Sequence, residues 1–448
     1  MAGSSIERTI DPVSRFNDLG GFVISQLLGN EFCAFRTRFE IGYTFLNNRS
    51  DARKSRVKMP VVVIGASTTA LSCLRLIAQA GYPAYAACPS DAWPSKTRYF
   101  RACPPRDGSI WHGELGRAGL RLLQALDFER CILIPTADDA ALWLAELPDE
   151  LGERFLTSVS SGTSMKVLQQ KSTFSSLVTE LGVPSPRSFA IDYECDLLDI
   201  PINSTDAFFL KPVDSQSFSR RYGKKAIWVS SYEQALQAWE QASKESLALI
   251  AQEFIPGGAD DHYFIDGFRD RNGIIRAKTS RRRIRMYPAD FGNSSYCVST
   301  SFEFVRPAWE SLERILKHTE YRGIFSAEFK LDSRDGLFKI LEVNTRPWVY
   351  IEFAAVCGMN MCDLYIRDAL REDVPTIKDY TVGLGCVNLL ADIRNLKQSP
   401  MAERPNVLAI LLAWLQAFKL IFSWRDPLPV LVFVGIEARN LLRRIISK

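Results

Sequence analysis

Histidine is nearly absent: the 448-residue chain has three, His112, His262 and His318. That scarcity disfavours an imidazole-based metal site and a histidine general base. Cysteine occurs ten times but never as a CxxC pair, and the closest neighbours, Cys357 and Cys362, lack partners at zinc-site spacing. Buried, reduced thiols in a cytosolic protein are the expectation. An excess of either charge sign is lacking too. Lys and Arg number 55 and Asp and Glu 51, a net +4, and the signs are interleaved, which excludes the footprint of a nucleic-acid-binding domain. The N-terminus, MAGSSIERTIDP, has neither a basic start before an apolar run nor an Arg-rich amphipathic pattern, so no cleaved address is expected. No period of about 20 to 50 residues recurs, which excludes a repeat array.

What is present reads as α/β followed by α+β. Residues 1–58 show no clean periodicity and are taken as an N-terminal extension. MPVVVIGAS is a short β-branched run closed by Gly65, and TALSCLRLIAQAGY continues at helical spacing to Gly81. CILIPTADDAALWLAEL repeats that design, with a strand ending at Pro135, Asp138 or Asp139 as N-cap, and a helix behind it. Residues 59–155 are therefore expected to form a parallel α/β domain. GASTTA lacks the spaced glycines of a dinucleotide fingerprint, so its role is read as structural. Beyond Thr157, SMKVLQQKSTFSSLVTELG predicts one helix halted by Gly182. Strands are expected in FFLKP, AIWVSS, LIAQEFI, HYFIDGF, IIRAKTS, FSAEFKLD and LFKILEVN, with helices in EQALQAWEQA and AWESLERILKHTEY.

The pair FSAEFKLDSRDGLFKILEVN carries the chemistry. Asp335-Gly336 signals a hairpin. A two-residue loop would put Glu328 opposite Val343, whereas a three-residue loop of Arg334, Asp335 and Gly336 puts Glu328 directly opposite Glu342. Asn344 then shares that face, and so does Arg346 if the strand continues. Facing carboxylates repel, which raises the pKa of one unless a cation sits between them. An all-oxygen set of Glu328, Glu342 and Asn344 suits magnesium that completes its shell with water and phosphate oxygens.

This strand pair resembles the metal-binding end of the ATP-grasp superfamily, whose members couple ATP cleavage to joining a carboxylate and an amine. The resemblance spans about residues 60–370. It implies a pre-ATP-grasp α/β domain at 59–155 and an ATP-grasp domain at 156–375, with a small lobe at about 172–255 and a large lobe at about 256–375. It also implies ATP with magnesium, as two ions, and small-molecule acid and amine substrates. By the same resemblance Lys171 and Lys211 reach the ATP phosphates, and VDSQSFSRRYGKKA with Gly223 forms a flap over them. Glu253, Phe254 and Ile255 form the adenine hinge, and Asp260 or Asp261 accepts from the ribose hydroxyls. The basic stretch TSRRRIRMYPADFGNSS, read as a strand, places Arg283 and Arg285 on one face and Arg282 on the other, the first face being suited to phosphate or the acid substrate. RMYPADFG resembles a subgroup of predicted ATP-grasp enzymes related to D-aspartate ligase and to the large subunit of carbamoyl phosphate synthase, with Arg281 standing where that subgroup carries a small residue. Arg346 would position the acid. Two rivals are a nucleotide-binding scaffold without turnover at the membrane and a kinase that stops at phosphoryl transfer.

Residues 376–448 are read as a C-terminal tail. NVLAILLAWLQAFKLIF and VLVFVGIEARNLLRRIISK predict an apolar helical hairpin with Lys419, Arg443, Arg444 and Lys448 at its basic edges. Through residues 407–448 such a hairpin would lie on the inner face of a membrane, dock on the body or make a homodimer interface.

Overall fold

The computed structural model describes residues 58–104, 111–202, 207–212, 226–245, 247–289, 292–399 and 405–446. The N-terminal extension before Lys58, the flap residues 213–225 and Lys448 lie outside that set.

Strand β1 (Val61–Ile64) is fully buried and sits inside a four-stranded parallel sheet. Its neighbours are β2 (Ala84–Ala87), β3 (Cys131–Pro135) and, at the edge, β4 (Phe155–Leu156). Helices α1 (Thr68–Gln79), α2 (Gly116–Ala125) and α3 (Asp138–Ala145) supply the crossovers that parallel strands require. Their apolar rows close two cores, one on each face of β1: Val61 and Val63 on one side, Val62 and Ile64 on the other. Neither aspartate caps α3. The N-cap is Ala137, and Asp138 and Asp139 fall in the first turn, where a carboxylate favours the helix dipole.

The expected single helix after Thr157 is two, α4 (Gly162–Gln169) and α5 (Lys171–Glu180), because Gln170 is extended. Thr173 donates its hydroxyl back to the Gln170 and Val167 carbonyls, the local competition that makes hydroxyl residues poor in helix interiors and good near helix starts. The break puts Lys171 at the first position of α5. Next comes an antiparallel sheet in the order β5-β8-β6-β7, made of β5 (Ser188–Ile191), β6 (Phe208–Pro212), β7 (Ile227–Val229) and β8 (Leu249–Glu253). Helix α6 (Tyr232–Lys244) buries Ala235, Ala238 and Ala242 against its core.

The largest sheet has seven strands: β13 (Phe338–Asn344), β12 (Gly323–Leu331), β9 (His262–Arg269), β10 (Ile275–Tyr287), β11 (Asn293–Ser299), β14 (Gly385–Val387) and β15 (Phe418–Lys419), in that spatial order. Helix α7 (Arg306–His318) packs Leu312, Ile315 and Leu316 into the core beneath β12 and β13, while α8 (Ile351–Val356) and α9 (Met361–Ala369) join the core shared with α1.

The residues after 376 correct the expectation of an appended helical tail. Strand β14 pairs with β11, helix α10 (Leu389–Gln398) follows, and α11 (Val407–Gln416) ends where Phe418 and Lys419 add to the sheet beside Cys386 and Val387. The apolar run thus splits into a ten-residue helix and a strand, with Leu420 and Ile421 entering the core. Asp426 is 2% exposed, and its carboxylate accepts from Arg75 Nε at 3.0 Å, Thr97 Oγ1 at 2.6 Å and the Arg98 amide at 3.0 Å. Arg75, on α1, also reaches Glu352 Oε2 at 3.3 Å and the Ile421 carbonyl at 3.0 Å. Burying such a triad is tolerable because its charges and lone pairs are engaged. Helix α12 (Leu428–Ile446) closes the chain, and among the described residues no helix is long and apolar enough to cross a membrane.

Candidate functional site

Strands β12 and β13 place Glu328 directly opposite Glu342, with Ser326 opposite Asn344. The register arises differently from the expected three-residue loop. Leu331 pairs with Phe338, and the Asp332 amide donates to the Leu337 carbonyl, so the loop between them has four residues, Ser333 to Gly336, with Gly336 at φ 71°. The shift is undone by a bulge: Phe329 faces Ile340 while Glu328 faces Glu342, leaving Leu341 as the extra residue.

Glu328 is heavily engaged. Arg283 Nη2 lies 3.0 Å and His262 Nδ1 2.8 Å from its Oε1. Burial alone would raise its pKa, but the Arg283 guanidinium and the His262 contact hold the carboxyl down at about 2. Glu342 is the opposite case. Water reaches it, yet the surrounding protein desolvates it and the Glu328 charge adds repulsion, so its pKa is raised. Its hydrogen-bond partner is Asn344 Nδ2 at 3.1 Å. Lys211, on β6, donates to Gln252 Oε1 at 2.7 Å; burial and the neighbouring Lys171 charge lower its pKa to about 8, while Glu342 and Glu328 oppose the fall. The structure therefore brings Lys171, Lys211, Glu328 and Glu342 within electrostatic reach of one another.

Arg346 sits at the far edge of this group. Its Nη2 bridges Asn344 Oδ1 at 3.1 Å and Asp138 Oδ2 at 2.9 Å, and its buried Nε has no partner. Asp138 belongs to the first α/β layer, so two distant parts of the sequence meet here.

The basic strand departs from expectation at one residue. Arg283 pairs with Cys297 and Arg285 with Tyr296, so a β-bulge turns Arg285 to the other face. There Arg285 forms a fork with Asp392 of α10, at 2.9 and 2.7 Å, away from Glu328. Arg281 keeps Arg283's face, its Nε 2.9 Å from Asp266 and its guanidinium 3.7 Å from the Phe264 ring centroid. Arg282 projects oppositely and holds Asp260 Oδ2 at 3.1 Å.

The expected hinge lies at the end of β8. The Glu253 carboxylate is taken by Arg334 at 2.6 Å and Arg187 at 3.2 Å, and the Phe254 amide donates to Ala207. Ile255 is buried, and Lys330 stands 4.5 Å over the Phe254 ring while donating to the Gly257 carbonyl. The two aspartates differ: Asp260 is the Arg282 partner, and Asp261 accepts from the Gly258 amide at 2.9 Å.

Sequence reasoning missed His262 and Asp138 as members of this group. Alternation along HYFIDGF puts His262 and Phe264 on one face, and β9 pairs with β12, so His262 had a readable signal once that pairing was assumed. Asp138 had none, because its partner lies 208 residues away.

Two facing carboxylates, one of them with a raised pKa, are a fitting seat for a divalent cation shared with phosphate oxygens. Among the described residues no group of three or more His, Cys, Asp and Glu is placed to hold a metal by itself. Asn344 fits only after its amide is turned, since its Oδ1 accepts from Arg346 and its NH2 faces Glu342.

No family model matches the chain. A D-aspartate ligase from Enterococcus faecium (strain Aus0004) is 22% identical over 251 residues, which are 54% of this chain and 59% of that protein. The chain thus aligns with about three fifths of that relative's length. N5-carboxyaminoimidazole synthetase from Staphylococcus aureus, solved with ADP, superposes with a TM-score of 0.56 at 16% identity over 79% of this chain and 88% of that one. Biotin carboxylase from Campylobacter jejuni, solved with a β-γ-ATP complex, gives 0.55 at 15% identity over 73% and 74%.

Proposed function

We propose that this chain, which has the ATP-grasp fold, is an ADP-forming ligase that activates a substrate carboxylate as an acyl phosphate for attack by an amine. The observation that carries this reading is Glu328 directly opposite Glu342, on strands facing the cations Lys211, Lys171 and Arg283. A carboxylate pair kept at this electrostatic cost suits phosphate chemistry that arrives with its own metal.

In the proposed reaction a carboxylate oxygen of the acid attacks the γ-phosphorus of ATP. The new O–P bond forms as the bond to the β-phosphate oxygen breaks, giving the acyl phosphate and ADP. The amine nitrogen then attacks the acyl carbon, the C–N bond forms, the C–O bond to phosphate breaks, and inorganic phosphate leaves with the nitrogen's proton released to solvent or phosphate. Lys211 and Lys171 act as point charges on the triphosphate. Arg283 holds Glu328 in place by its ion pair, and Arg346 orients the acid once it exchanges Asp138 for the substrate. Glu328 and Glu342, with Asn344 after its amide rotates, would hold magnesium, which supplies charge neutralisation at the transferring phosphoryl group. Arg285 has no part in this, being committed to Asp392. The lobes assigned to about 172–255 and 256–375 would enclose ATP, with the backbone of Glu253 to Ile255 at the adenine edge and Asp260 or Asp261 at the ribose. Placement and electrostatics account for the catalysis, so no nucleophilic side chain is needed.

ADP release, measured over a panel of acids with and without amines, tests the reading, with Glu342→Gln as control. Release that needs both substrates and falls about 100-fold or more in the control supports it. Release that needs no amine would make the chain a kinase. ATP binding without release across the panel would make it a scaffold.

A further inference from the structure

Large apolar side chains are exposed at eighteen described positions, and nine of these lie between Val407 and Val434. Elsewhere they are scattered singly, as on any soluble surface; here they are patterned. Along α11, Leu408, Leu411, Leu412 and Leu415 recur at the spacing of one helix face and point outward, while Ile410 is buried and Trp414 Nε1 donates to Asp392 Oδ2 at 2.7 Å, fixing the inner face to the body. Helix α12 repeats the arrangement. Its inner face carries Phe433, whose ring is 5.1 Å from that of Trp93, and Glu437, paired with Arg394 at 2.6 Å; its outer face exposes Leu431. Between the helices Trp424 is 83% exposed.

The segment that carries this face has cations in excess. From residue 405 to 443 the acidic residues are Asp426, buried on Arg75, and Glu437, paired with Arg394, whereas Lys419, Arg425, Arg439 and Arg443 are all cationic. A second copy of the chain would bring the same cations together and repel. A surface of anionic lipid headgroups complements them, with Trp424 at the level where amphipathic rings settle. Neither helix can cross the hydrocarbon: α11 has ten residues and α12 carries Glu437, Arg439 and Arg443.

We infer that the outer faces of α11 and α12, with Trp424 between them, form a monotopic binding surface for anionic lipid bilayers. It is rigidly mounted, because β15 lies in the main sheet and Asp426 is locked to α1. Binding lays the apolar stripe in the boundary between headgroups and acyl chains, parallel to the membrane plane.

Flotation of the full chain with phosphatidylcholine vesicles, with and without phosphatidylglycerol, tests this. The expected result is binding that requires phosphatidylglycerol, weakens with salt, and falls about tenfold or more in Leu411→Glu/Leu415→Glu. Arg439→Glu/Arg443→Glu, at two exposed positions, should lose the phosphatidylglycerol preference, while Leu198→Glu, at an exposed site elsewhere, should bind as the parent does. Absent flotation with anionic vesicles, or equal binding to both lipid compositions, overturns the inference. So does sedimentation showing a dimer that Leu411→Glu/Leu415→Glu dissociates, which would assign the face to a second copy.

Discussion

Replacing Asp426 by alanine should damage the fold far more than its position near the end of the chain suggests. The carboxylate accepts three donors, Arg75 Nε, Thr97 Oγ1 and the Arg98 amide, at 2.6 to 3.0 Å, and both Asp426 and Arg75 are 2% exposed. Its removal strands the Arg75 guanidinium with Glu352 as the remaining acid, and Glu352, whose pKa is raised by burial, is a reluctant anion. Breaking a buried pair by deleting one partner costs about 3–5 kcal/mol. The measurement is the urea midpoint and slope for parent, Asp426→Ala, Arg75→Met and the double variant. Because the double variant removes both members, its loss should fall short of the sum of the singles by about 1–3 kcal/mol. A loss below about 1 kcal/mol for Asp426→Ala, the size expected of an exposed pair, would show that the triad does not hold the C-terminal segment to α1.

Lys211 gives a pH prediction. With its pKa near 8, set first by burial and then by Lys171, it is half neutral at that pH, and a bound triphosphate raises the pKa again. Nucleotide binding should therefore take up about half a proton at pH 8 and weaken as pH rises above 8, measurable by calorimetry in buffers of different ionisation enthalpy; Lys211→Met should abolish the uptake. In stability the sign is that of a depressed lysine: its contribution is present at high pH and is lost as pH falls through 10.5 towards about 8. Asp138→Asn should lower the KM for the acid while leaving the KM for ATP nearly unchanged, since Arg346 no longer gives up an ion pair to take the substrate; equal changes in both would remove Arg346 from acid positioning. Gly336→Ala, at φ 71° with open space around it, should cost about 1 kcal/mol through backbone strain alone, read as a shift in the denaturation midpoint.

Much of this architecture was readable. The buried runs VVVI and CILIP, each followed by helical periodicity, gave the parallel sheet, whereas the two glutamates meet as expected only because the bulge at Leu341 offsets a loop one residue longer than the expected one. What escaped was set by long-range pairing. Arg285 left Arg283's face because β10 and β11 slip past each other at a bulge, which no periodicity announces. Phe418 and Lys419 look helical from their neighbours, yet the open edge of β14 recruits them as a strand. The Lys171 helix start was hidden because the spacing of apolar residues continues across Gln170 while the backbone does not. Asp138 and Asp426 carry no local mark, as their partners lie 208 and 351 residues away.

The surplus residue at Leu341 is what lets one strand keep its apolar side in the core and still aim its acid at Glu328. Ironing out the kink would swing Phe338 and Ile340, both buried in the core with Val343, to the side that carries Glu342, and would turn Lys339 inward. An engineer who alters the tip should therefore confine the change to Ser333 to Gly336 and leave the paired stretch from Phe338 to Glu342 at its present length.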